Sequence, residues 1–166
     1  MGATYGELEV GKKYLSLPVT ITEAHLVLFG GLIGNWHPSH LNLEFSQRGP
    51  FRKRVCHGEL TCGLMLSGFA QLLSDTSLGH LGGTYRLKAP VYVGDTIYTE
   101  MEVLSKRPSR SRPGGIVQFG LKTYNQDGLM VAEGTADFLV ANESIPLYSP
   151  ETPAGKASQD RPRGDG

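Results

Sequence analysis

One hydrogen-bonding amide and two histidines, Asn35, His37 and His40, crowd into the stretch Gly34-Asn35-Trp36-His37-Pro38-Ser39-His40. Asn35 and His40 stand five positions apart with Pro38 between them, and proline restricts the backbone there. Two polar groups pinned in this way suit a site that holds a small reactant. Histidine is the side chain able to take and return a proton near neutral pH. Seventeen residues after His40, His57-Gly58-Glu59-Leu60 opens an apolar stretch. Glycine at that step lets a ligand approach the backbone closely, and the positive end of a following helix suits an anion or a polarised carbonyl.

These residues need elements to position them. Tyr14 to Val19 can form a short strand, and Thr20-Ile21-Thr22-Glu23 has the spacing of a capping box. From Glu23 to Ile33 the dense repeat of Leu26, Val27, Leu28, Phe29, Leu32 and Ile33 predicts a mostly buried helix, ended by Gly34. Residues 35–57 carry Gly49, Pro38, Pro50 and the run Arg52-Lys53-Arg54, so they read as an irregular excursion. An excursion of that length inside a compact domain is usually functional. Gly58 to Leu73 has an apolar stripe at helical spacing, predicting a central helix. Strands are expected over 82–89, 96–106, 116–125 and 129–140, with Gln126-Asp127-Gly128 a tight turn and 107–115 a loop. One long helix followed by four antiparallel strands is an α+β arrangement, a sheet wrapped around a helix.

Length and charge bound the rest. The chain has 166 residues, enough for one domain with its own core. A single domain over 1–142 is expected, with a disordered tail over 143–166 rich in Pro, Ser, Gly and charge. The Arg-Gly-Asp near its end reads as chance. Lys plus Arg and Asp plus Glu are both 16, so no basic excess points to nucleic acid or a membrane surface. No apolar run reaches the roughly 18–20 residues of a spanning helix, and the N-terminus lacks a secretory pattern. Cys56 and Cys62 have no partner cluster, so a reduced, cytoplasmic setting is expected. No metal-ligand spacing and no phosphate-binding glycine loop appear, so no cofactor is implied.

Over residues 10 to 140 the chain resembles the MaoC-like hydratase/dehydratase family, hot-dog proteins that act on acyl-CoA thioesters. The resemblance rests on Leu32-Ile33-Gly34, Asn35-Trp36-His37-Pro38-Ser39-His40, His57-Gly58, Ala89-Pro90-Val91 and Gly94-Asp95-Thr96. It implies a hot-dog fold and a homodimer, or a higher homo-oligomer, with strands joined into one sheet. It also implies an acyl-CoA or acyl-carrier thioester as partner. Carried over residue by residue, His40 holds the reacting water, the N–H of Gly58 faces the thioester oxygen, and Asn35 occupies the position of the family's catalytic carboxylate.

Asn35 is the departure. Asparagine forms hydrogen bonds but accepts no proton at neutral pH, and general acid–base help contributes roughly 10²- to 10⁴-fold. Three readings stand. His40 alone moves the proton; or Glu59, in the first turn of the helix, replaces the missing carboxylate; or the protein binds an acyl ligand without this chemistry, alone or paired with an active homologue. A thioesterase, with Asn35 and Glu59 orienting a water, is the rival from another enzyme class. Trp36, His37, His57 and Arg86 are candidate substrate contacts. Each has a plainer alternative: a structural plug for Trp36, loop and turn hydrogen bonds for His37 and His57, a solvated surface for Arg86. Arg86, Lys88, Arg107, Arg110 and Arg112, or Arg52-Lys53-Arg54, could meet carrier phosphates.

Overall fold

The computed structural model describes residues 1–110 and 112–145; most of the expected tail, 146–166, lies outside them. Two short strands, β1 (Lys13–Leu15) and β2 (Val19–Thr20), lead into α1 (Glu23–Ile33). The helix begins at Thr22, whose backbone N–H donates to Nδ1 of His25 at 3.0 Å. It stops at Gly34, which turns left-handed at φ +71°, a conformation glycine takes at little cost. Residues 35–57 are less irregular than expected. They hold α2 (Pro38–Leu41), with proline in its first turn, and α3 (Leu43–Arg48), capped by Asn42 Oδ1 accepting the Phe45 N–H at 2.9 Å.

The expected central helix is two pieces, α4 (Gly58–Met65) and α5 (Phe69–Leu72). A turn over 66–68 separates the pieces, and the backbone there lies close to the sheet: a Cβ on Gly68 would sit 2.6 Å from Met101 Cε. The bend lets both Met65 and Phe69 enter the main core with Met101, Phe119 and Phe138.

The sheet is antiparallel. β3 (Ser77–Leu87), β4 (Thr96–Pro108) and β5 (Gly114–Tyr124) run longer than expected, β6 (Met130–Ala141) is displaced by one residue, and the order is β1-β4-β5-β6-β3, with β2 also on β4. Along β4, Ile97, Thr99, Met101 and Val103 are buried while their neighbours are not, so one face packs on the helices. The other face carries a row of alternating charge across four strands, with Glu100, Lys122, Glu133 and Arg86 in successive register.

α1 departs from its expectation. Only Leu26 and Gly30 are buried, and Leu28 and Leu32 are 72% and 84% exposed. One edge of α1 covers the smaller core around Ile21, Val91 and Ile97, while Leu28 and Leu32 on the opposite edge stay exposed among the described residues. An apolar content spread around the helix therefore overstates its burial.

Candidate functional site

Past Gly34 the chain makes a tight descent into α2. Asn35 Oδ1 accepts the backbone N–H of His37 at 3.3 Å, and His37 Nδ1 accepts the Ser39 N–H at 3.3 Å as the cap of α2. His37 is thus tied to its own loop, and its exposed ring lies 6.1 Å from that of His40. Trp36 is 58% exposed and lies over α1, where a Cβ on Gly31 would be 3.3 Å from its ring.

His40 stands in the last turn of α2. Its Nδ1 lies 2.8 Å from the carbonyl oxygen of Val55. A carbonyl only accepts, so Nδ1 carries the hydrogen and Nε2 of the neutral ring keeps its lone pair. Burial is the main influence holding the His40 pKa below its ordinary value. The neighbouring His57 and His37 act in the same direction, opposed by the Val55 hydrogen bond and the charge of Glu59.

His57 precedes α4 and is fully buried. Its ring stacks on His40 with centroids 3.9 Å apart and planes inclined by 24°. Its Nε2–H donates to the backbone carbonyl of Asn35 at 3.1 Å, while its Nδ1 has no partner. The ring is thus closed off from solvent, with His40 stacked over one of its faces.

Gly58 opens α4 beside a cavity of about 470 Å³, whose wall also includes His40, Val55, Phe51, Leu87 and Val91. A Cβ on Gly58 would sit 2.6 Å from Leu87 Cδ1, so glycine keeps this wall open. His40 and Gly58 therefore share one cavity. Asn35 is half-buried at the loop behind it, and Glu59 is exposed on the first turn of α4. Arg86 does not join them: it pairs in register with Glu133 on the outer face, one residue before Leu87, which reaches Gly58. Among the other basic candidates, Lys88 lines the cavity and pairs with Glu133 at 3.0 Å. Lys53 sits 5.6 Å above the Tyr92 ring, Arg52 donates to the Gln47 carbonyl at 3.3 Å, and Arg54 pairs with Glu23. The group that orients His40, the Val55 carbonyl, is a backbone atom for which the sequence carries no signal. Among the described residues no group of His, Cys, Asp and Glu could hold a metal ion.

The profile of the MaoC like domain family matches residues 7–125. The chain belongs to this family. An (R)-specific enoyl-CoA hydratase of Rhodospirillum rubrum is 30% identical over 125 residues, 75% of this chain and 83% of that protein. A 3-hydroxybutyryl-CoA dehydratase of Methylorubrum extorquens is 32% identical over 108 residues, 65% and 68% of the two chains. Among solved structures, R-hydratase PhaJ1 of Pseudomonas aeruginosa, in the unliganded form, is similar with a TM-score of 0.77 and 32% identity, covering 92% of this chain and 94% of that one. This MaoC-like chain thus has a hot-dog fold, α4 and α5 lying in the antiparallel sheet. No helix among the described residues is long and apolar enough to cross a membrane.

Proposed function

We propose that this MaoC-like protein adds water to α,β-unsaturated acyl thioesters and removes it in the reverse direction. The observation that carries the proposal is the shared cavity: His40, its Nδ1 held by Val55, and Gly58 at the start of α4 line the same 470 Å³ space. In hydration, Nε2 of His40 takes a proton from water as the oxygen bonds to C3. Negative charge develops on the thioester oxygen, where the Gly58 N–H stabilises it. The imidazolium then returns its proton to C2, which completes the addition and restores neutral His40.

Asn35 acts here as a hydrogen-bonding residue. Its Oδ1 is engaged by the His37 N–H, so its amide hydrogens are what it can offer a water or a substrate oxygen. His40 is the single base in this scheme. The relatives named above act on CoA thioesters, and Lys88, on the cavity wall and paired with Glu133, is a cation placed to meet a carrier's phosphates. A homodimer joined through the free edge of β3 fits the exposed apolar side of α1, and the cytoplasm fits two unpaired thiols.

Loss of enoyl absorbance with a panel of enoyl-CoAs tests the scheme on the natural protein, Asn35→Asp and His40→Ala. Turnover by the natural protein, lost by roughly 10²- to 10⁴-fold in His40→Ala, is the expected result. A second reading rests on Asn35 itself: a homologue that binds the acyl group, alone or beside an active subunit. Activity appearing only in Asn35→Asp would establish that reading and overturn the first. Release of free thiol without loss of the double bond would instead identify a thioesterase.

A further inference from the structure

His57 touches no part of the cavity, yet it contacts both residues that the proposed hydration places around the water. The hydrogen bond from His40 Nδ1 to Val55 fixes one point of the imidazole. That bond is the polar restraint on rotation about Cβ–Cγ, and a rotation that broke it would swing Nε2 away from the cavity. The His57 ring, stacked at 3.9 Å and 24°, blocks that rotation over one whole face. On its other side the same ring donates Nε2–H to the Asn35 carbonyl at 3.1 Å and so fixes the loop that carries Asn35.

The surroundings show that this arrangement is built. Gly30 of α1 leaves space for it: a Cβ there would lie 3.1 Å from the Asn35 oxygen and 3.3 Å from His57 Nε2. Phe29 closes the pocket edge-on, 5.4 Å from the His57 centroid. The ring is fully buried and leaves Nδ1 without a partner, an arrangement packing alone does not require, since an apolar residue would carry no such unsatisfied atom.

We propose that His57 is a positioning residue that locks the orientation of the His40 imidazole and the position of Asn35 from behind the site. This inference rests on the hydratase reading for its catalytic consequence but not for its geometry. The groups with charge or titratable protons facing His40 are His37 from the loop, His57, Glu59 from α4, and Cys56 and Lys88 on the cavity wall. Removing the stacked ring changes one of these and lets water onto the buried face of His40.

Two full-length variants separate the two contacts. His57→Gln keeps an N–H donor toward Asn35 and loses the stacked ring; His57→Phe keeps a ring and loses the donor. Nitrogen and proton NMR of the His40 ring, with His40→Ala for assignment, reads its tautomer and titration directly. A single Nδ1–H tautomer is expected in the natural protein. A mixture of tautomers and a raised titration midpoint, as burial of the ring is relieved, are expected in His57→Gln. With an enoyl-CoA substrate, kcat should fall at least about 10-fold in both variants while KM changes little, since the loss is one of orientation. An unchanged His40 tautomer, titration and kcat in both variants, with only a lower melting temperature, would make His57 a packing residue and overturn the proposal. Should the natural protein turn over no enoyl thioester, the hydratase reading fails while the NMR result still decides the role of His57.

Discussion

His40 is pulled in two directions by its neighbours. Burial, with His57 and His37 nearby, lowers its pKa; the Val55 carbonyl and the Glu59 charge raise it. A base must be neutral to act, and a lowered pKa extends the neutral form to more acidic pH. The acid limb of kcat/KM is therefore expected below the ordinary histidine value of about 6.5, with little change across neutral pH. Glu59→Gln removes one of the upward influences, so the limb should move to lower pH. Movement to higher pH, or loss of activity comparable to His40→Ala, would show that Glu59 itself handles the proton. Much of this site was legible because side-chain types carry it: the Asn35 to His40 spacing and the His57-Gly58 step are visible in the chain. The Val55 carbonyl was not, since any residue supplies one. Nor was the burial of His57, because a histidine beside a glycine has the same letters whether it faces a ligand or sits behind one.

At the scale of elements, glycines decide how closely the pieces of the site approach. Gly58→Ala would push against Leu87 Cδ1, the end of a flexible and half-exposed side chain. The melting temperature should barely move, while the cavity narrows and kcat/KM falls about 10- to 100-fold. A melting transition lowered as much as the activity would refute that separation. Gly30→Ala meets a backbone carbonyl and a fully buried ring, neither of which yields easily. It should cost about 1–3 kcal/mol in denaturant unfolding and reduce activity as well. Helix α1, the Gly34 stop and the Asp127-Gly128 turn followed from local rules, and Gly128 has φ +74° as such a turn requires. The close approach of Gly68 to the distant Met101 is a tertiary contact, which local rules do not contain. The place of Arg86 is likewise set by tertiary pairing, its register opposite Glu133 on the outer face.

The whole molecule exposes what a lone hot-dog unit leaves uncovered. Leu28 and Leu32 project from α1, and among the described residues β3 ends the sheet with an unpaired edge. Sedimentation should find a dimer. Leu28→Glu with Leu32→Glu should shift it toward monomer, since burying each leucine contributes about 1.5–3 kcal/mol. A natural protein that sediments as a monomer would end the dimer proposal.

Val55 joins the rim of the cavity to its chemistry. Its N–H donates to Ser39 at 3.2 Å, its carbonyl accepts from His40, and it bridges to Tyr92 on the facing segment. The wall of the cavity and the aim of its histidine thus share one peptide unit, so a shift of the backbone at residue 55 would disturb both at once.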